Sequence, residues 1–485
     1  MMFKLLVSLS LMGYMCLYSY GEAVAAEAIQ NQGWGVIGDI QRYDYEVKPS
    51  YWVEKEPQGT QILLQSDQLA KLNETIRANA PTLHNLDALP DTYTVQDVVK
   101  RIKNWYPELG DPKNLPLYYV DDVPLDEAYL EKILQNRNLA DKIVSSVDTK
   151  SISTPVKNKR LVPVRYAVVT ERANLRLMPT ADGWYDEPND VQYDQLQGTV
   201  LDPAEPVAVI WESLDKKFVY VIAVDYEGWV SKQSIGFTDK HTWQEFVQPT
   251  DFAVVTNNKY RLSVQDKEQL WQMGAKIPLV VTEKSMMAVP STEVKISEVR
   301  GTLRLPYRKS DGSLGIEEKP IFFGQSLHKG YLPYTVDTLR RQALAFLGDE
   351  YGWGGQNESV DCSALVQDVY ASMGILLPRD QDLQEAAMPT LTDIRALTVE
   401  QRLAYIKQLP IGSLLFIPGH VMIYWGVDAV GRPLVIHSLS SYYTTSGEKV
   451  LVRRVMVSDL EFRLGSGKTM LERITAVGTF GNVFL

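Results

Sequence analysis

Cys362 is the side chain in this sequence with the clearest capacity for covalent chemistry. It follows the glycine-rich run Tyr351-Gly352-Trp353-Gly354-Gly355 and then Asp361. It also opens an apolar stripe, Leu365, Val366, Val369 and Met373, at helical spacing and closed by Gly374. A thiol at a helix N-terminus meets unpaired N–H groups and the positive end of the helix dipole, both of which favour the nucleophilic thiolate. The glycine turn lets backbone approach a ligand closely. The competing expectation is ordinary, because most free cysteines are small buried core residues.

A nucleophilic thiol needs a base within hydrogen-bond reach and a third group to orient that base. Of the five histidines, His84, His241 and His328 have no such setting and read as structural. His420 and His437 flank a candidate hairpin, 420–426 and 433–439, with Asp428 and Gly431 in its turn. Strand alternation places His420, Met422 and Tyr424 on one face. An odd pairing register puts His437 on that same face, opposite His420 or one diagonal away, and an even register separates them. The order Cys, His, His follows papain-like logic with a second histidine in place of an orienting Asn. Neither Cys-x-x-Cys nor His-x-x-x-His occurs, so no metal and no other cofactor is expected.

The elements around these residues divide the chain. Residues 66–80, 94–105 and 126–141 carry apolar residues at helical spacing, with Ser66 as a candidate N-cap, and a polar linker at 145–159 follows. From residue 160 the texture changes to short apolar strands separated by turns, which predicts two small β-barrels, 156–248 and 249–325. Helix signals return at 336–347 and 362–373. Strands follow at 413–417, 421–425, 434–437 and 450–457, an α+β arrangement. The divisions are therefore 1–26, 27–155 (helical), 156–248, 249–325 and 326–485.

Composition narrows the partners. The chain has 485 residues, is 45% apolar and 22% charged, and has a formal charge of −11. A protein built for nucleic acid normally carries a basic surface, so that class is not expected. Residues 1–26 hold Lys4, an apolar stretch from Leu5 to Tyr18 and small residues at Ala23-Val24-Ala25-Ala26, the layout of a secretory leader. Export to the periplasm or the extracellular space is expected, without stable membrane insertion, and a lipid anchor on Cys16 is disfavoured by the bulky Met15 before it. Loss of the leader removes Cys16 and leaves Cys362 as the sole thiol, in a compartment that oxidises thiols.

The residues also resemble a known family. Tyr351 to Cys362, Leu377-Pro378-Arg379-Asp380 with Gln384, and Pro418-Gly419-His420-Val421-Met422-Ile423-Tyr424 are similar to the NlpC-type cysteine peptidases of bacterial cell walls. The run Ala173 to Thr180, with Gln195-Leu196-Gln197 and Gly228-Trp229-Val230, resembles the first SH3-like domain of a multidomain subgroup, whose N-terminal stabilising domain the preceding helices resemble. The resemblance implies an α+β, multidomain protein: a helical N-terminal domain, two SH3-like β-barrels and a papain-like peptidase domain. It implies hydrolysis of the γ-D-glutamyl–diamino acid bond in peptidoglycan stem peptides or muropeptides. By motif, Cys362 would be the nucleophile, His420 the base and then acid, and His437 the residue orienting it. Tyr351 and the Cys362 N–H would stabilise the oxyanion. Trp353, Asp361 and Ser363 would line the D-glutamyl pocket, and Asp380 would pair with the ammonium of a free N-terminal L-Ala. Two departures stand out: Gln381 where Ser is common, and Gly412-Ser413 where Gly-Asp is common. Gln381 leaves the exact substrate preference open. The rival expectations are a wall-binding protein without activity and an acyltransferase on a related fold.

Overall fold

The computed structural model describes residues 35–36, 59–104, 117–139, 160–280 and 300–480; the leader and the linker lie outside them. Among the described residues no helix is long and apolar enough to cross a membrane.

Among the described residues the N-terminal part contains three α-helices: α1 (Ser66–Asn79), α2 (Val95–Asn104) and α3 (Glu127–Asn136). The cap of α1 is Gln65 rather than Ser66, in a capping box closed by Gln68. Asp126 caps α3 by accepting the Tyr129 N–H at 2.7 Å. Each helix buries its stripe against a different neighbour. Leu72 and Ile76 of α1 join the core around Leu365 and Val369, and Val98 and Ile102 of α2 join that around Trp211 and Tyr220. Leu130 and Ile133 of α3 pack on Met178 and Trp184. The helices share the cores of the units they cover, because each presents one narrow apolar stripe.

The first β unit is a seven-stranded antiparallel sheet, in the order 235–238, 165–169, 206–212, 218–222, 227–231, 173–176, 197–201. Both faces are covered. Val207, Val209 and Val221 point into one core, while Ala208, Ile210 and Ile222 point into another, completed by α2 and α4 (Lys240–Val247). This explains why Pro206–Glu212 reads as a continuous apolar run rather than an alternating one. The second β unit pairs 252–255 with 276–278 and 327–329, and adds hairpins 259–264/267–272 and 300–308/314–322 around Trp271, Leu303 and Leu305.

The C-terminal part contains α5 (Val336–Leu344), α6 (Cys362–Ala371), α7 (Gln381–Ala387) and α8 (Val399–Ile406). Its strands are β1 (Thr390–Asp393), β2 (Leu414–Ile417), β3 (His420–Val427), β4 (Pro433–Tyr443), β5 (Lys449–Asp459) and β6 (Ala476–Thr479). They form one sheet in the order β5-β4-β3-β2-β6-β1, antiparallel throughout, with Gly35–Val36 added parallel to β5. Val421, Ile423, Ile436 and Val457 pack against α5 and α6, whereas Met422, Tyr424, Val435 and Met456 pack on the α8 side. The β3–β4 register is odd at the histidine end, with Ile423 opposite Ile436 and Tyr424 opposite Val435. A bulge after Tyr424 shifts it to even near the turn.

Candidate active site

Asp361 builds the head of α6. One carboxylate oxygen accepts the Ala364 N–H at 2.9 Å, which caps the helix, and the other accepts the Gly354 N–H at 2.9 Å. Arg379 clamps both oxygens, at 3.0 and 2.6 Å, and reaches Ser363 Oγ at 2.9 Å. Burial works against the Asp361 charge, but Arg379 and the N–H donors outweigh it and hold the carboxyl below its usual range. Asp361 therefore acts on the pocket by fixing the glycine turn, Arg379 and the helix start. The turn needs its glycines. Gly354 and Gly355 have φ of 57° and 81°, and a Cβ on Gly354 would fall 2.6 Å from Gln197 Cγ and 2.9 Å from the Gln197 carbonyl oxygen.

Cys362 is the first residue of α6, 8% exposed, and the Val421 N–H beside His420 is directed at its sulfur. No hydrogen bond joins the thiol to either histidine in this resting state, and catalytic contacts commonly tighten only with substrate in place. His420 Nε2 lies 2.8 Å from His437 Nδ1, so the hairpin does bring the two rings together. His437 Nε2 in turn lies 3.0 Å from Ser458 Oγ, which donates to the Asp459 carbonyl at 2.9 Å. His420 Nδ1 has no partner among the described residues.

Burial, reinforced by the Asp361 charge, pushes the Cys362 thiol up to about 12, against the lowering effect of the Val421 and Ser363 N–H groups and of Arg379. Burial likewise brings His420 down to about 4, and burial together with His420 holds His437 well below the usual range. The thiolate expected from the helix terminus alone is thus overridden by desolvation, and the resting site pairs a neutral thiol with neutral imidazoles.

The first β unit supplies one wall. Gln197 Nε2 donates to the Gly354 carbonyl at 3.0 Å, and Arg379 Nε donates to Thr199 Oγ1 at 3.0 Å. Trp353 Nε1 donates to the Asp194 carbonyl at 3.0 Å. Tyr193 stands over the site, its ring 6.1 Å from that of Tyr351 and 5.5 Å from that of Trp353. Its hydroxyl bonds Ser440, and Asp190 pairs with Arg453 at 3.1 Å. Both anchors land where the β4–β5 pairing is bulged after Leu439. Burial and the neighbouring Cys362 keep the Tyr351 phenol protonated far above neutral pH, so it remains a donor.

Asp380 precedes α7 without capping it through its side chain, and its carboxylate accepts no hydrogen bond from the described residues. Burial pushes its carboxyl up to about 7, with Asp361, Asp382 and Asp225 adding repulsion and Arg379 pulling the other way. Gln381 accepts the Gly419 N–H at 3.1 Å, so this unusual residue steadies the turn into His420. A cavity of about 370 Å³ behind Arg379 and Thr199, lined in part by Asp225, Gln272 and Asp368, includes neither Cys362 nor the two histidines. Of the other histidines, His84 pairs with buried Glu227 at 3.0 Å and His328 bonds the Gly330 carbonyl at 3.0 Å.

Residues 348–453 match the NlpC/P60 family, a span holding the glycine turn, Cys362, Arg379 and both histidines. The C-terminal part thus carries an NlpC/P60 domain. Residues 184–231 match the SH3 domain of SH3b1 type, within the first β unit. Among curated proteins, the chain is 24% identical over 243 residues to "Dipeptidyl-peptidase 6" of Lysinibacillus sphaericus, covering 48% of this chain and 76% of that one. It is 33% identical over 108 residues to the "Bifunctional muramidase/DL-endopeptidase CwlT" of Bacillus subtilis, covering 20% and 29%. A solved NlpC/P60 endopeptidase from Photobacterium damselae subsp. piscicida superposes with a TM-score of 0.65 over 87% of this chain and 94% of that one, at 16% identity, a likeness of fold.

Three residues of this site escaped sequence reasoning. Arg379 stood in the Leu-Pro-Arg-Asp run without a role. Tyr193 had no local signal. Ser458 was marked only by a polar side chain ending the apolar run Val455-Met456-Val457.

Proposed function

We propose that the protein is an exported cysteine peptidase that cleaves peptidoglycan stem peptides between γ-D-glutamate and the following diamino acid, meso-diaminopimelate or L-Lys. The observation that carries this reading is the 2.8 Å contact between His420 and His437 on the strands beside the helix that Cys362 opens. The NlpC/P60 domain and the DL-endopeptidase name of one relative support the wall peptide as substrate. The leader-like residues 1–26 support export.

In this mechanism His420 Nδ1 takes the thiol proton as Sγ attacks the γ-glutamyl carbonyl carbon, and the carbonyl π electrons move onto oxygen. The Tyr351 hydroxyl and the Cys362 N–H stabilise that oxyanion. Collapse breaks the C–N bond, and the proton on His420 passes to the departing amine of the diamino acid. Water, deprotonated by His420, then cleaves the thioester to give the γ-carboxylate and restores the thiol. Trp353 and Ser363 border the D-glutamyl unit. The unpaired Asp380 carboxylate receives the ammonium of a free N-terminal L-Ala, and Tyr193 roofs the cleft so that short stems with a free amino end are preferred.

The test is chromatographic analysis of L-Ala-γ-D-Glu-diaminopimelate incubated with the wild type and with Cys362→Ala. Release of L-Ala-D-Glu by the wild type alone is the expected result. Equal turnover by the variant would remove the mechanism.

A further inference from the structure

We propose that Ser458 is a positioning residue that fixes which ring nitrogen of each histidine bears its proton, and thereby makes His420 Nδ1 the base. The inference rests on the peptidase reading of the site and extends it by one residue beyond the histidine pair.

A backbone carbonyl can only accept, and the Asp459 oxygen lies 2.9 Å from Ser458 Oγ, so we assign the single hydroxyl proton of Ser458 to it. What remains on Ser458 Oγ is lone pair, and it faces His437 Nε2 at 3.0 Å. His437 must therefore carry its proton on Nε2 and present a bare Nδ1. That bare nitrogen lies 2.8 Å from His420 Nε2, which must then be the protonated one. The remaining nitrogen of His420, Nδ1, is left with its lone pair free and no protein partner among the described residues. Each donor in this row has one acceptor, and the direction is set by a carbonyl that cannot reverse.

Strand geometry makes the row rigid. His437 pairs with Met456 across the β4–β5 ladder and Ser458 pairs with Val435, so Ser458 is the diagonal neighbour of His437 on the same face. Both side chains are fully buried, so no water competes for the Nε2 proton. Removal of the hydroxyl frees His437 to move its proton to Nδ1. Two N–H groups cannot face each other across 2.8 Å, so His420 would shift its own proton to Nδ1 and lose the base lone pair.

The experiment pairs spectroscopy with kinetics. In ¹⁵N-histidine-labelled wild type near neutral pH, His437 should show a bare Nδ1 and a protonated Nε2, and His420 likewise a bare Nδ1 and a protonated Nε2. Ser458→Val should lower kcat by about 10- to 100-fold, by analogy with the outer hydrogen-bond partners of metal-bound imidazoles, with KM nearly unchanged. Ser458→Thr, which restores the hydroxyl, should recover most of the loss. A proton on His437 Nδ1 in the wild type overturns the inference without any variant, and so does a Ser458→Val enzyme with wild-type kcat. Undiminished turnover by Cys362→Ala would instead sink the peptidase reading, so the two failures are separable.

Discussion

The side-chain amide of Gln197 in the first β unit donates to the carbonyl oxygen of Gly354 at 3.0 Å, 157 positions away in the sequence. Gly354 in turn donates its N–H to Asp361, the cap of the helix that Cys362 opens. The active-site turn is thus held from two sides, and one of them lies outside the NlpC/P60 match. Residues 326–485 produced alone should lose nearly all hydrolysis, measured on a stem peptide, while the full chain is active. Gln197→Ala should cost less, about 1–2 kcal/mol of thermal stability for the lost buried hydrogen bonds.

Arg379 is buried and pairs through both outer nitrogens with Asp361. Arg379→Met would leave that carboxylate buried without its counter-charge. A loss of about 3–5 kcal/mol is expected in urea unfolding. Asp361→Asn in the Arg379→Met background should recover part of it, since the uncompensated charge is then gone.

The neutral resting state of Cys362 and His420 sets the pH dependence. His420 is depressed to about 4 and the thiol is raised to about 12, so both groups are neutral between those limits. With a substrate at saturation, kcat should rise as pH increases through about 4, where His420 becomes an available base, and then stay level through neutrality. The thiol proton moves during attack, so a normal solvent deuterium isotope effect is expected on kcat/KM. An inverse effect would indicate a preformed thiolate–imidazolium pair.

Asp380 should trade stability for binding. Its folded-state carboxyl titrates near 7, above the ordinary aspartate value, so the ionised group weakens the fold once pH passes through that interval and costs nothing below it. Asp380→Asn should raise Tm by a few degrees at about pH 8 and leave it unchanged at about pH 4. The same substitution should raise KM for peptides with a free amino end. In the wild type, KM should also climb as pH falls below about 7 and the carboxyl becomes protonated.

Tyr193 and Asp190 tie the wall of the first β unit to the bulge between β4 and β5 through Ser440 and Arg453. Tyr193→Ala combined with Asp190→Ala should open the roof. The expected signature is a higher KM for short stems together with new release of product from glycan-linked stems, read by chromatography of digested sacculi.

Much of this architecture was visible in the sequence, and the reasons are local. The α6 stripe, the glycine turn and the two histidines announce themselves over short spans, because helix and strand periodicity are properties of neighbouring residues. Alternation says what an odd hairpin register does for the two histidines but not which register forms, and the bulge after Tyr424 had no signal in residue type. The upward push on the Cys362 thiol was not legible for a different reason: a helix terminus is local, whereas desolvation comes from everything packed around the sulfur. Tyr193, Gln197 and Ser458 act through contacts across long stretches of chain, which no window of sequence contains. The hairpin 259–264/267–272 was missed because its outer face is polar, and its turn relies on Gln265 and Asp266 at positive φ rather than on glycine.

The absence of a side chain at Gly354 has an evolutionary corollary. A methyl group there would strike Gln197 within 3 Å, so the two modules meet with no slack. Shuffling this peptidase domain onto a foreign β partner would require a matching strand that offers the same slim approach and the same amide. Substitutions in the two modules should therefore drift as a coupled set, and chimaeras assembled at the seam should fail unless the residue at 197 travels with the glycines it touches.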